Sequence, residues 1–85
     1  MIPVYTKEAI DLYVSDGIPT GSFVYAVLTN NLFDAVARAD STNIMFLREI
    51  CQYIYNDIPS NCWGSQEKVN NWLEMKRYSA EANND

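Results

Sequence analysis

A chain of 85 residues has room for one hydrophobic core, and 48% hydrophobic against 20% charged residues excludes a wholly disordered protein. The excess of 11 acidic over 6 basic residues gives a net charge of −5, which disfavours nucleic acid as a partner because a polyanion is repelled. No apolar run approaches the roughly 20 residues of a membrane helix, and the N-terminus lacks the pattern of a secretory signal. We therefore expect no membrane partner and a cytoplasmic location.

The first predicted helix lies between Thr6, a suitable N-cap, and Gly17, a suitable end. Pro19 suits the first turn of a second helix. Asn30 and Asn31 are expected to end or bend that helix. The apolar positions at helical spacing are Ala9, Ile10, Tyr13 and Val14 in the first helix and Phe23, Val27 and Leu28 in the second.

A third helical stretch begins at Leu32 and runs towards Asp40, whose carboxylate can cap the next helix. Residues 42–57 carry the strongest helical pattern in the chain and predict one central helix that Pro59 ends. A strand over residues 53–55 is the alternative, and the lack of a partner segment favours the helix. The apolar stripe consists of Ile44, Leu47, Ile50, Cys51, Ile54 and Ile58, widened by Phe46, Tyr53 and Tyr55.

Ser65 is a good cap for a last helix, whose inner stripe is Val69, Trp72, Leu73 and Lys76. We expect Trp72 to be buried together with Leu47, Ile50 and Ile54. Residues 79–85 hold no large apolar anchor and are expected to fray. The sequence thus predicts an all-α, compact single domain of four or five short helices over residues 1–78.

The chain has two cysteines and no histidine. Without histidine, Ser-His-Asp and Cys-His catalysis are excluded, and we expect a protein that is not an enzyme. Cys51 and Cys62 are eleven positions apart, a spacing that matches no established metal-binding pattern, so neither a metal nor a cofactor is expected. Cys51 is predicted to be a small core residue, and Cys62, in a loop beside Trp63, the more accessible thiol.

The candidate binding residues lie at the breaks between helices, where side chains can vary without emptying the core. They are Ser22, Tyr25, Asp34, Arg38, Cys62 and Trp63. Asp34 and Arg38 are neighbours on one helix face, where a structural ion pair is the alternative to a binding role. Trp63 either plugs the end of the core or is presented to a partner, and both interpretations stay open.

Two blocks of the sequence resemble a known family. Residues 17–40 contain a Gly-Ile-Pro turn, an Ala-Val-Leu…Leu-Phe helix and an Arg-Ala-Asp ending, and residues 53–65 contain Tyr-Asn…Pro…Cys-Trp-Gly-Ser. In this order they resemble a family of small proteins encoded by tailed bacteriophages. The resemblance implies a phage origin and the cytoplasm of an infected bacterium as the compartment, and it implies no reaction.

These features favour a non-enzymatic binding module that binds and inhibits a host protein, such as a defence protein, through an aromatic patch with an acidic rim. One alternative is a protein that sequesters a small nucleotide messenger, with the base stacked on tyrosine or tryptophan and the phosphate on Arg38 or Arg48. Another alternative is a minor structural or assembly protein of the virion that acts through self-association.

Overall fold

The computed structural model describes residues 1–82, and every regular element within them is helical, as the sequence predicts. Residues 53–55 are helical, as predicted. The elements in chain order are α1 (Val4–Asp16), α2 (Ser22–Leu28), α3 (Leu32–Arg38), α4 (Ser41–Met45), α5 (Leu47–Asp57), a 3₁₀ turn (Ser60–Cys62) and α6 (Gln66–Ala82).

Three predicted helix boundaries are confirmed, each through a local hydrogen bond. Gly17 ends α1 in the left-handed conformation, with φ of +67°. The carboxylate of Asp40 accepts a 2.7 Å hydrogen bond from the backbone N–H of Asn43 and caps α4. The Ser65 hydroxyl accepts a 3.1 Å bond from the N–H of Lys68 and caps α6.

The starts of the first two helices differ from the prediction. Helix α1 begins at Val4, so Thr6 lies inside it and not at its cap. Thr6 is buried, and its hydroxyl donates a 2.6 Å bond to the side-chain oxygen of Asn43. Pro19 lies in the connection before α2, which begins at Ser22. The Thr6 hydroxyl, which the sequence pattern assigned to a helix cap, instead bonds to Asn43, which is distant in the sequence.

The predicted central helix is divided at Phe46, where φ is −113°. This division gives one helix more than the four or five expected. The buried bond from Thr6 holds Asn43, and with it α4, against α1. The break at Phe46 lets α5 turn Ile50 and Ile54 into the core independently of α4.

The core is built from twelve buried hydrophobic residues: Ile10, Tyr13, Phe23, Val24, Ala26, Leu28, Ala35, Ile50, Ile54, Ile58, Cys62 and Val69. Ile50 and Ile54 are buried as predicted, whereas Leu47 and Trp72 are only partly buried against this core. Trp72 stays at the edge because its indole N–H donates a 3.1 Å bond to the carbonyl of Tyr13 at the end of α1.

Helix α6 presents its predicted inner stripe to the core, with Val69 buried and Trp72, Leu73 and Lys76 partly buried. The helix continues through Ala82, so the segment expected to fray from residue 79 is helical to that point. The rest of that prediction, residues 83–85, lies outside the described residues. Within the described part of the chain, no helix pairs the length with the apolar character that crossing a bilayer requires.

Candidate ligand-binding grooves

Four of the six candidate residues line one surface groove, here called the polar groove. Its volume is about 510 Å³. It is lined by Thr20, Ser22, Tyr25, Ala26, Thr29, Asn31, Asp34, Arg38 and Gln66. Ser22, Tyr25, Asp34 and Arg38 are therefore neighbours in the fold, together with Gln66 at the start of α6, which the sequence analysis did not include.

The polar groove exists because the chain reverses between α2 and α3 and packs the two helices together. Asn30 adopts a left-handed conformation with φ of +63°, which asparagine tolerates better than most residues. The N–H of Asn31 then bonds to the carbonyl of Ala26 at 2.9 Å, and its side chain caps α3 by accepting from the N–H of Asp34. The two asparagines thus set the spacing of the groove walls.

Asp34 and Arg38 do not form the ion pair that their spacing allows. The Asp34 carboxylate instead accepts a 3.1 Å bond from the side-chain amide of Asn31. Across the residues that the structure describes, Lys7 and Asp11 form the single ion pair. Both charges of the polar groove therefore face solvent.

The predictions for the two cysteines were wrong and are reversed in the structure. Cys62 is fully buried and lines neither the polar groove nor the second groove described below. The 3₁₀ turn directs its thiol inward, where it donates to the carbonyl of Pro59 at 3.0 Å. Cys51 is an exposed residue on the flank of the α5 stripe. The surrounding protein removes water from both thiols, partly at Cys51 and fully at Cys62, and this desolvation raises the pKa of each. Among the described residues, no three Cys, Asp or Glu side chains are placed to hold a metal ion.

Trp63 lines a second groove, here called the aromatic groove, with a volume of about 520 Å³. Trp63 is half-buried: its ring packs against the core and its indole N–H donates a 3.3 Å bond to the carbonyl of Ile58. The ring therefore closes part of the edge of the core, and presentation of its exposed part to a partner stays a prediction. The residues that line this groove are Val27, Asn30, Arg48, Cys51, Gln52, Ile54, Tyr55, Asn56 and Trp63.

The loop that carries Trp63 is tied to the body of the domain at two points. The Tyr13 hydroxyl donates a 2.7 Å bond to the carbonyl of Cys62, and the N–H of Gly64 donates a 2.7 Å bond to the carbonyl of Leu28. These bonds flank Trp63 on both sides in the sequence. The indole ring is consequently a fixed wall of the groove and not part of a free loop.

The opposite wall comes from one side of α5, and sequence reasoning missed most of it. Arg48, Cys51, Gln52 and Tyr55 follow at the helical spacing of three and four residues. The Tyr55 and Trp63 ring centroids are 6.0 Å apart, with the ring planes tilted by 57°. A signal was present in the sequence, since these residues share a helix face that adjoins the isoleucine stripe.

Comparison of the chain with protein-family models, with curated proteins and with solved structures gives no match. The functional argument therefore rests on the residues and the geometry of this chain.

Proposed function

We propose that the chain is a non-enzymatic binding module, encoded by a tailed bacteriophage, that binds and inhibits a protein in the host cytoplasm. The observation that carries the proposal is a large apolar face that α3 leaves to solvent. Phe33 is 86% exposed, and Leu32 and Val36 are exposed beside it. We call these three residues the α3 face.

The α3 face is one continuous surface. Val36 follows Leu32 by four residues and Phe33 by three, so their side chains are neighbours on the helix. Ala35, on the other side of the same helix, is buried in the core. Single exposed apolar residues are common on protein surfaces, but a seven-residue helix that turns its three largest apolar side chains outward is typical of a binding surface.

Covering this face is energetically worthwhile. Removing one large apolar side chain from water contributes about 1.5–3 kcal/mol. Phenylalanine is also enriched at the centres of interfaces. The net charge of −5 complements a partner whose contact surface has a basic rim, and such complementarity mainly accelerates association.

The phage origin is supported by the resemblance of residues 17–65, and the non-enzymatic class by the lack of histidine. Inhibition is the simplest effect of such a module, because a small domain with one apolar face blocks the surface that it covers.

The test is affinity capture of the tagged chain from host cells, with the bound proteins quantified for the parent and two variants. Phe33→Asp places a charge in the α3 face, and Tyr78→Asp makes the same change at a 75% exposed aromatic residue on α6. We expect one host protein to bind the parent and Tyr78→Asp and to be lost with Phe33→Asp. Its purified form should lose activity when the parent chain is added.

Two results would reject the proposal. In the first, the parent and both variants capture the same proteins. In the second, Phe33→Asp converts an oligomer of the parent into a monomer in sedimentation experiments, which would assign the α3 face to self-association. Abundant protein in purified virions would support the assembly role instead. Because Phe33 and Tyr78 are exposed, the free energy of unfolding of each variant should lie within about 1 kcal/mol of the parent's value.

A further inference from the structure

We infer that the aromatic groove is a binding site for a nucleotide, with the base stacked against Trp63 and Tyr55 and the phosphate held by Arg48. This site uses none of the residues of the α3 face. It is therefore independent of the protein partner proposed above.

The two rings are arranged to receive a third. Their planes are tilted by 57° at a centroid separation of 6.0 Å, so neither ring stacks flat on the other. Trp63 is held in place by its bond to Ile58, whereas Tyr55 is 75% exposed and can adjust to a ligand. A planar heterocycle is the ligand group that gains most from such a pair of rings.

The charge of the groove differs from that of the protein. The chain carries 11 acidic residues, yet none of them lines this groove, and Arg48 is its single charged side chain. Among the described residues, Arg48 forms no ion pair. A guanidinium in this state offers a planar fork to phosphate, and the local positive charge selects an anion against the net charge of the chain.

The spacing along α5 specifies the order of groups in the ligand. Tyr55 follows Arg48 by seven residues, which is about 10 Å along a helix that rises 1.5 Å per residue. Gln52 lies between them, and Asn30 and Asn56 add further amide donors and acceptors. Base, sugar and phosphate occur in this order in a nucleotide. A free phosphate would leave the rings unused, and an uncharged aromatic compound would leave Arg48 unused.

The experiment titrates the purified full-length chain with four nucleoside monophosphates, with cyclic di-AMP, with adenosine and with inorganic phosphate. Calorimetry measures affinity. The rate at which Cys51 reacts with a thiol reagent reports occupancy, since Cys51 lines the groove and Cys62 is buried. We expect at least one nucleotide to bind about tenfold or more tightly than adenosine or phosphate and to slow the labelling of Cys51.

Paired variants separate the two parts of the site. Arg48→Ala should weaken nucleotide binding about tenfold and leave adenosine binding unchanged, while Arg38→Ala, in the polar groove, should leave both unchanged. Tyr55→Ala should weaken both ligands about fivefold or more, because it removes a stacking surface. Tyr78→Ala is its matched control, since both tyrosines are 75% exposed.

The inference is overturned if no nucleotide protects Cys51 or binds at concentrations up to about 1 mM. Equal effects of Arg48→Ala and Arg38→Ala, or of the two tyrosine variants, would also overturn it. Tighter binding of an oligothymidylate than of any free nucleotide would assign the groove to a nucleic-acid strand instead. Phe33→Asp should retain full nucleotide affinity, so a failure at one surface is distinguishable from a failure at the other.

Discussion

The hydroxyl of Tyr13 in α1 donates a hydrogen bond to the carbonyl of Cys62, 49 residues further along the chain. Tyr13 is buried, and this desolvation, with smaller contributions from Cys62 and Tyr25, raises the pKa of its hydroxyl well above the usual range. The hydroxyl therefore stays protonated, and able to donate, at neutral pH and well above it. Through this bond the first helix supports the turn that precedes Trp63.

Replacing Tyr13 with phenylalanine should lower the free energy of unfolding by about 1–3 kcal/mol, because a buried carbonyl loses its donor while the ring remains. Urea unfolding followed by circular dichroism measures the change. Tyr78→Phe, at an exposed position, is the control and should be neutral. Equal stability of Tyr13→Phe and the parent would mean that the Cys62 carbonyl does not depend on this bond.

Gly17→Ala should be strongly destabilising for two reasons. Gly17 has φ of +67°, and a Cβ added there would lie 2.3 Å from the Cβ of Lys76 on α6. Left-handed backbone and overpacking together predict a loss of about 2–4 kcal/mol. Gly21 has no atom within 4 Å of an added Cβ, so Gly21→Ala should cost less than about 1 kcal/mol. Similar unfolding midpoints for the two variants would contradict the close approach of α1 and α6.

One of the two thiols should react in the folded protein. Cys51 is exposed and should be labelled by a chromogenic disulfide, whereas Cys62 should react only after denaturation. Cys51 is accessible, but the neighbouring groove residues partly desolvate its thiol and raise its pKa, so its labelling should be slower than that of free cysteine and should continue to accelerate as the pH rises through about 9. Cys51→Ser should abolish native labelling. Persistent labelling of that variant would show that the loop around Cys62 opens.

The cap of α4 should make the stability of the domain fall at acidic pH. The N–H of Asn43 and then the hydroxyl of Tyr5 donate to the Asp40 carboxylate and hold its pKa below the ordinary value. A carboxylate with a lowered folded pKa stabilises the fold above its unfolded pKa of about 3.9, and this contribution is lost as the pH falls through the folded pKa. Asp40→Asn retains a capping side chain without the charge.

The melting temperature of the parent should therefore exceed that of Asp40→Asn by a constant amount above pH of about 5, and the difference should shrink below pH of about 4. Thermal melts across this range measure the difference. The other carboxylates are the same in both proteins, so their contributions cancel in the comparison. A difference that persists unchanged into acid would assign the effect of the substitution to shape instead of charge.

The features of the fold that could be predicted from the sequence are those that depend on neighbouring residues. Gly17, Asp40 and Ser65 end or cap their helices through bonds between residues that are close in the sequence, and all three were identified. The break at Phe46 was missed because no glycine or proline marks it. The bond from Thr6 to Asn43, three residues before this break, joins residues 37 positions apart and could not be inferred from neighbouring residues.

The candidate sites show the same division. Ser22, Tyr25, Asp34 and Arg38 could be grouped because α2 and α3 are consecutive helices that pack together. The aromatic groove could not be assembled, since it joins α5 to the end of α2 and to a loop whose position is set by Tyr13. The exposures of the two cysteines were predicted the wrong way round. Helical spacing places Cys51 next to the isoleucine stripe but does not show whether its side chain lies inside the stripe or just outside it.

The bonds that close this domain also determine when it can fold during synthesis. Tyr13 leaves the ribosome early, but its hydroxyl finds its acceptor only when Cys62 has emerged, and its carbonyl, which already accepts from the N–H of Gly17, gains its second donor only with Trp72. The Leu28 carbonyl likewise waits for Gly64. The helices of the first half thus lack these bonds until residues 62–72 have been made, and short helices are marginal alone. We therefore expect the complete packing of α1 and α2 to depend on the arrival of α6.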